Sequence, residues 1–197
     1  MARPAKFSVD DLLDGALAAA YARGRSATVA DVAAAVGAPT GSIYHRFVNR
    51  EELFASLWLR SIARFHEGLL ETGHMADPKE ALLRFAVHIP RYCRAHPDEA
   101  AAMTLYRQPD LATRGPESLR DQAARINDGI IAMLLGLGTR AFGELTPRRQ
   151  ELLVIAVQET PYGLVRRYIS GRRPIPEWLD EVVRVAAAAI LDLGDSD

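Results

Sequence analysis

A chain of 197 residues, 49% hydrophobic and 25% charged, has the composition of an ordinary globular protein, long enough for a small head and a larger body but too short for two large domains. Its net charge of -1 neither demands nor excludes nucleic acid, so the placement of charge matters more. Over residues 1–50, Arg3, Lys6, Arg23, Arg25, Arg46 and Arg50 stand against Asp10, Asp11, Asp14 and Asp31, which leaves +2 in that stretch and −3 in the remainder. The single cysteine, Cys93, excludes an intrachain disulfide and a thiolate metal cluster and points to a reducing interior. No run approaches the ~20 apolar residues that a membrane span needs. Asp10, Asp11 and Asp14 precede the apolar stretch at 15–22, where a secretion signal would carry positive charge, so the expected location is the cytoplasm, with no membrane partner.

Residues 8–23 place Val9, Leu12, Leu13, Ala16, Leu17, Ala20 and Tyr21 at the spacing of an amphipathic helix. Ser8 and Asp11 supply a capping box at its start, and Gly24 ends it. A second short helix opens on another box, Thr28 with Asp31, buries Val29, Val32, Ala33 and Val36, and stops at Gly37, a residue suited to the left-handed turn. Thr40 is the expected cap of a third helix, with Ile43 and Phe47 four apart on its inner face. Asn49 and Glu52 then open a long helix through Leu53, Phe54, Leu57, Trp58, Ile62, Phe65 and Leu69 that fades at Thr72-Gly73. Two short helices joined by a tight glycine turn make the helix-turn-helix shape that lays its second helix in a DNA groove.

Further on, Pro78, Pro97, Pro116, Pro147 and Pro176 stand where helices begin, the one helical position that loses nothing without an N–H. They predict helices over 78–95, 97–107, 116–136, 147–170 and 176–193, with Asp77 and Thr146 as caps, a loop at 108–115, and a weak helical tail or a bend at 136–143. Pro90 and Pro161 fall inside two of these helices and predict kinks, which either accommodate a neighbour or mark a moving part. No stretch alternates at period two long enough to be a strand. The expected fold is all-α: a three-helix head with a helix-turn-helix at residues 1–48 and a C-terminal bundle at 49–197. About nine helices are expected in all, the one at 49–72 serving as connector.

The series Gly41-Ser42-Ile43-Tyr44-His45-Arg46-Phe47, followed by Asn49-Arg50-Glu51-Glu52-Leu53, resembles the Gly-x-x-Tyr-x-x-Phe recognition helix and helix start of TetR-family transcriptional regulators. The close resemblance covers about 50 residues, and length and helix layout agree beyond it. It implies a DNA-contacting set of Thr28, Thr40, Gly41, Ser42, Tyr44, His45, Arg46 and Arg50. In that set the start of the recognition helix favours a phosphate, and glycine permits close approach to the groove. Ser42, His45 and Arg46 are in reach of base edges or backbone, and Tyr44, Thr28 and Arg50 contact phosphates; Arg50 stands where the family has lysine. Arg46 stands where many members have histidine, and Arg3 and Lys6 offer a minor-groove arm.

For the body the resemblance implies two further roles. The last two long helices pair with their copies in a homodimer, here through Leu152, Ile155, Trp178, Val182, Val185, Ala186, Ala189 and Ile190. A small-molecule effector, apolar or aromatic, is expected against Phe85, His88, Ile89, Tyr92, Met103, Tyr106, Asn127, Ile130, Gln158 and Tyr162. The implied function is a ligand-responsive regulator, a repressor that holds a palindromic double-stranded DNA operator and is released by its effector. The alternatives are a helical adaptor that does not bind DNA and, further off, a helical-bundle enzyme. Glu71-x-x-His74 is a lone fragment of a di-iron pattern beside Gly73, hydrolase and phosphate-loop signatures are missing, and Cys93 with His88 shares no good helical face, so neither catalysis nor a cofactor is expected.

Overall fold

A computed structural model describes residues 7–196, so the arm proposed at Arg3 and Lys6 lies outside the described residues. Every regular element described is helical, as the periodicity requires. The chain divides into two compact units, one formed by residues up to Ala63 with Asp98–Ile126, the other by Arg64–Pro97 with Asn127–Asp197.

The first unit contains α1 (Val9–Arg23), α2 (Val29–Val36), α3 (Thr40–Tyr44) and the start of α4 (Arg50–Thr72), followed by α6 (Pro97–Met103), α7 (Gln108–Arg114) and α8 (Arg120–Arg125). Its ends are set by the local devices read from the sequence. The Ser8 hydroxyl oxygen accepts from the Asp11 N–H at 3.1 Å, while the Asp11 carboxylate accepts from the Ser8 N–H at 2.8 Å. Thr28 and Asp31 repeat this arrangement at 3.2 and 2.8 Å. Gly37 adopts φ 70°, a left-handed conformation that only glycine takes without strain, and it turns the chain from α2 towards α3. The core joins Leu12, Ala16, Val32, Ile43, Phe47, Phe54 and Leu57, with Ala102 and Leu105 packed against it. The Trp58 indole N–H donates to the Met103 carbonyl at 2.9 Å, which fixes the end of α6 against α4.

The second unit contains the rest of α4 with α5 (Pro78–Ala95), α9 (Asp128–Phe142), α10 (Pro147–Val154), α11 (Thr160–Ser170) and α12 (Leu179–Asp192). The Asp77 carboxylate caps α5 by accepting from Lys79 and Glu80 N–H groups at 2.9 and 3.2 Å. α5 then runs unbroken through the buried Pro90.

Several expected boundaries are corrected. The segment 108–115 is helical, not a loop: Pro109 occupies the first turn, Asp110 lies beside it, and Gly115 closes the end. The helix expected over 116–136 is broken at Ile126 and Asn127, and residues 128–142 form one helix, so 136–143 is neither bend nor weak tail. Gly143, at φ 76°, ends it. The helix expected over 97–107 stops at Met103, and the last one starts at Leu179. Within 147–170 a wide π turn spans Ile155–Glu159. Pro161 follows, and because it has no N–H to give the Val157 carbonyl and its ring crowds that oxygen, a regular α turn is disfavoured there.

Candidate nucleic-acid interface

The recognition segment is short. Its preceding residue is Pro39, in extended conformation, and Thr40 is the first helical residue, not the cap. Proline offers no side-chain acceptor, so α3 begins without a side-chain cap and is held by what it buries. Ile43 is 1% and Phe47 6% exposed, whereas Tyr44 is 53% exposed. Thr40, Gly41, His45 and Arg46 are also exposed and Ser42 is half-buried, so one outward face gathers the small and polar residues of the motif. Nothing lies near the position a Gly41 side chain would fill, so this end of the face is open.

The flanking members are engaged within the protein. The Thr28 hydroxyl donates to the Asp31 carboxylate at 2.6 Å; this bond and then the Thr28 backbone N–H hold the Asp31 carboxyl below the usual carboxylate range, burial opposes them, and the Arg23 guanidinium 3.0 Å away adds a lesser lowering. Arg50 donates from Nε to the Ala27 carbonyl and from Nη2 to the Arg25 carbonyl, both at 2.6 Å, and its guanidinium lies 4.7 Å from the centre of the Phe54 ring. It therefore latches the start of α4 to the turn before α2. These acceptors are neutral, so the latch leaves its positive charge uncancelled. The expected Asn49–Glu52 box forms by half: the Asn49 side chain accepts from the Glu52 N–H at 2.9 Å, but the Glu52 carboxylate takes the Val48 N–H at 2.6 Å.

The residues expected to line an effector site fall in both units. Met103 and Tyr106 belong to the first, where Tyr106 lines a small recess with Arg25, Arg50 and Arg107. In the second, Phe85 and Ile89 are buried on α5, and His88 and Tyr92 join Phe65 in a cluster with ring centres 5.1 to 5.6 Å apart. The His88 Nε2 lies 3.0 Å from the Phe65 carbonyl. Burial lowers the His88 pKa, with that carbonyl contact opposing it, and burial takes His66 down to about 4. Asn127 precedes α9 and Ile130 is half-buried on it, whereas Gln158 and Tyr162 are exposed. Burial pushes the Cys93 thiol up to about 12, which leaves it inert at neutral pH.

The expected dimer set divides by exposure. Trp178, Val182 and Val185 are 56%, 42% and 62% exposed, and Ala189 lies outward with them at the same helical spacing. Leu152, Ile155, Ala186 and Ile190 are half-buried. Beside this face an open groove of about 1040 Å³ runs between α5 and α12, lined by paired charges that include Glu80, Arg94, Asp180 and Arg184. Among the described residues no cluster of three metal-ligating side chains occurs, and no helix is long and apolar enough to cross a membrane. Sequence reasoning missed the grouping of Arg25 and Arg107 with Arg50, since no linear spacing connects them.

Residues 12–57 match the model of the bacterial regulatory proteins of the tetR family. No curated protein sequence matches the chain. Among solved structures, a transcriptional regulator from Rhodococcus sp. RHA1 matches with a TM-score of 0.74 and 22% identity over 97% of this chain and 100% of that one. The fatty acid degradation regulator FadR from Bacillus halodurans matches at 0.69 and 20% identity, covering 93% and 98%. FadR from Bacillus subtilis, in complex with stearoyl-CoA, matches at 0.65 and 19%, covering 96% and 98%.

Proposed function

We propose that the chain is a TetR-family transcription regulator, a reading supported by the match of residues 12–57 to that family's model, and that it is a repressor that grips a palindromic operator as a homodimer and lets go when an apolar effector binds. The observation that supports this best is the division of one helical turn. Ile43 and Phe47 are spent on the core, while Tyr44, His45 and Arg46 remain outside beside the open Gly41. A purely structural helix has no need to present an exposed tyrosine between two small polar positions and a basic pair.

In this reading Tyr44 and Thr40 hold the phosphate backbone, Ser42, His45 and Arg46 face the groove, and Arg50 contributes a fixed positive charge behind them. One such face covers too few bases for genomic specificity, and a two-fold pair reads half-sites about one helical turn apart. The outward apolar stripe of α12, Trp178, Val182, Val185 and Ala189, is the surface proposed to meet its copy, and burying it in a partner removes an apolar patch from water. The effector is proposed to bind against the apolar and aromatic side of α5 at Phe85, His88, Ile89 and Tyr92. Fatty acyl-CoA esters are the first ligands to try, given the stearoyl-CoA held by one structure of the same fold. A ligand that prefers the form with wrongly spaced recognition helices shifts the population off DNA by its difference in affinity for the two forms.

Titration of the protein's own upstream DNA at several salt concentrations tests the core of this reading. Specific, salt-dependent binding that falls about 10–100-fold in Tyr44→Ala and Arg46→Ala is expected. Binding that ignores both sequence and substitutions would overturn it. Light scattering of Val182→Asp/Val185→Asp beside the unaltered protein tests the dimer, with conversion to monomer at micromolar concentration as the expected result.

A further inference from the structure

The first unit holds a recess of about 200 Å³ lined by Arg25, Arg50, Phe54, Tyr106, Arg107 and Asp110. Three arginines line it from three segments: the turn after α1, the start of α4, and the residue preceding α7. Among the described residues none of the three forms an ion pair with a carboxylate. The carboxylate in the lining, Asp110, lies 3.6 Å from Arg114 on its own helix instead. Gathering like charges without a counter-charge is unfavourable, and a bound anion relieves it.

Arg50 is also preorganised. Its Nε and Nη2 are tied to the carbonyls of Ala27 and Arg25, and its flat side is held near Phe54, so its charge is fixed at the recess before any ligand arrives. Burial pushes the Tyr106 phenol above its ordinary range, Arg50 and Arg25 pull it down, and Glu51 raises it, so the hydroxyl remains a donor at neutral pH. The volume is several times the ~30 Å³ share of a water molecule and below the ~300–1,000 Å³ of sites for drug-sized ligands, which selects a compact group.

We propose that this recess binds the phosphate group of a small molecule, with Arg25, Arg50 and Arg107 as its cationic walls and the Tyr106 hydroxyl as a fourth donor. Planar guanidinium groups present paired N–H donors that match phosphate oxygens. Asp110 in the lining disfavours an extended polyanion and tolerates a single compact group. Arg50 is also the fixed positive charge proposed to stand behind the DNA-facing residues. Ligand and operator therefore draw on one charge and are expected to compete, and this coupling alone rests on the regulator reading.

Calorimetric titration of the full chain, free of DNA, with inorganic phosphate and with ribose 5-phosphate tests the site, ionic strength being held constant with sodium chloride. Saturable one-site binding is expected, weakened at least 10-fold in Arg107→Gln and in Arg25→Gln and unchanged in Arg166→Gln, an exposed arginine of the second unit. Tighter binding of the ester than of free phosphate identifies a phosphorylated metabolite as the source, and equal binding identifies phosphate itself. Heat without saturation, or equal affinity in all four proteins, overturns the site and leaves the operator reading untouched. If Arg107→Gln weakens operator binding as strongly as Tyr44→Ala while phosphate does not saturate, the recess is a DNA backbone contact and the proposal fails. Competition between ribose 5-phosphate and operator in the unaltered protein, absent in Arg107→Gln, is the expected sign of the coupling.

Discussion

Two groups of arginines, one in each unit, are held in opposite ways. In the second, Asp180 receives Arg91 and Arg94, each at 2.7 Å, and Glu80 receives Arg184 at 2.6 Å and Arg84 at 3.3 Å, so α5 and α12 are laced together by opposite charges. In the first, Arg25, Arg46, Arg50 and Arg107 form no ion pair among the described residues, and Arg50 spends its donors on neutral carbonyls. The total charge of -1 conceals this difference. Paired charge is structural and contributes little to a distant partner's field, whereas unpaired charge is available to an anion that approaches from outside. A near-neutral protein is therefore able to present a local cluster of unpaired positive charge to an anion.

That contrast breaks most visibly at Asp180, which is 18% exposed and serves Arg94, itself 25% exposed. Asp180→Ala is expected to cost about 1–3 kcal/mol in denaturant titration, since it strands a half-buried guanidinium, while leaving the affinity of the folded protein for its proposed operator unchanged. Thr28→Ala removes one side of a capping box and is expected to cost about 1 kcal/mol, again by denaturant titration. Arg184→Gln removes an exposed partner of Glu80 and is expected to cost about 0.2–1 kcal/mol, decreasing further in 1 M salt. Arg46→Gln is expected to change stability by less than about 0.5 kcal/mol and, on the proposed reading, to weaken operator binding; a large stability loss would mean that its charge is not idle in the fold.

Acid sharpens the same comparison. His66 has a folded pKa of about 4 and His88 is also lowered, both chiefly by burial, so the folded second unit holds them neutral while the unfolded chain binds protons near 6.5. The unfolded state therefore gains protons first as pH falls. Stability is complete above pH 6.5 and is lost progressively from there down to about 4. Thermal melts between pH 7.5 and 4.5 are expected to show this slope, and His66→Gln is expected to flatten it.

The head was legible because its boundaries are local. Ser8 with Asp11, Thr28 with Asp31 and the φ 70° of Gly37 each act within four residues, and the reading recovers them. The helix 78–95 was legible for the same reason, through Asp77 and Pro78. Where the reading failed, a local sign was ambiguous or missing. Pro109 and Gly115 bracket a complete short helix but resemble loop residues, and the break at Ile126-Asn127 carries neither proline nor glycine. The arginine recess was illegible because it depends on tertiary folding, which brings residue 107 to residues 25 and 50.

The wide turn at Ile155–Glu159 has a geometric effect on the residues after it. At 3.6 residues per turn, each step of four residues overshoots a full revolution by about 40°, so positions four apart wind steadily away from one side. Val157, Pro161 and Val165 are four apart, yet all three remain buried. The extra residue in the turn winds the chain back against that drift. It works as a vernier, keeping the inward row in step past a proline that would otherwise throw it out of phase.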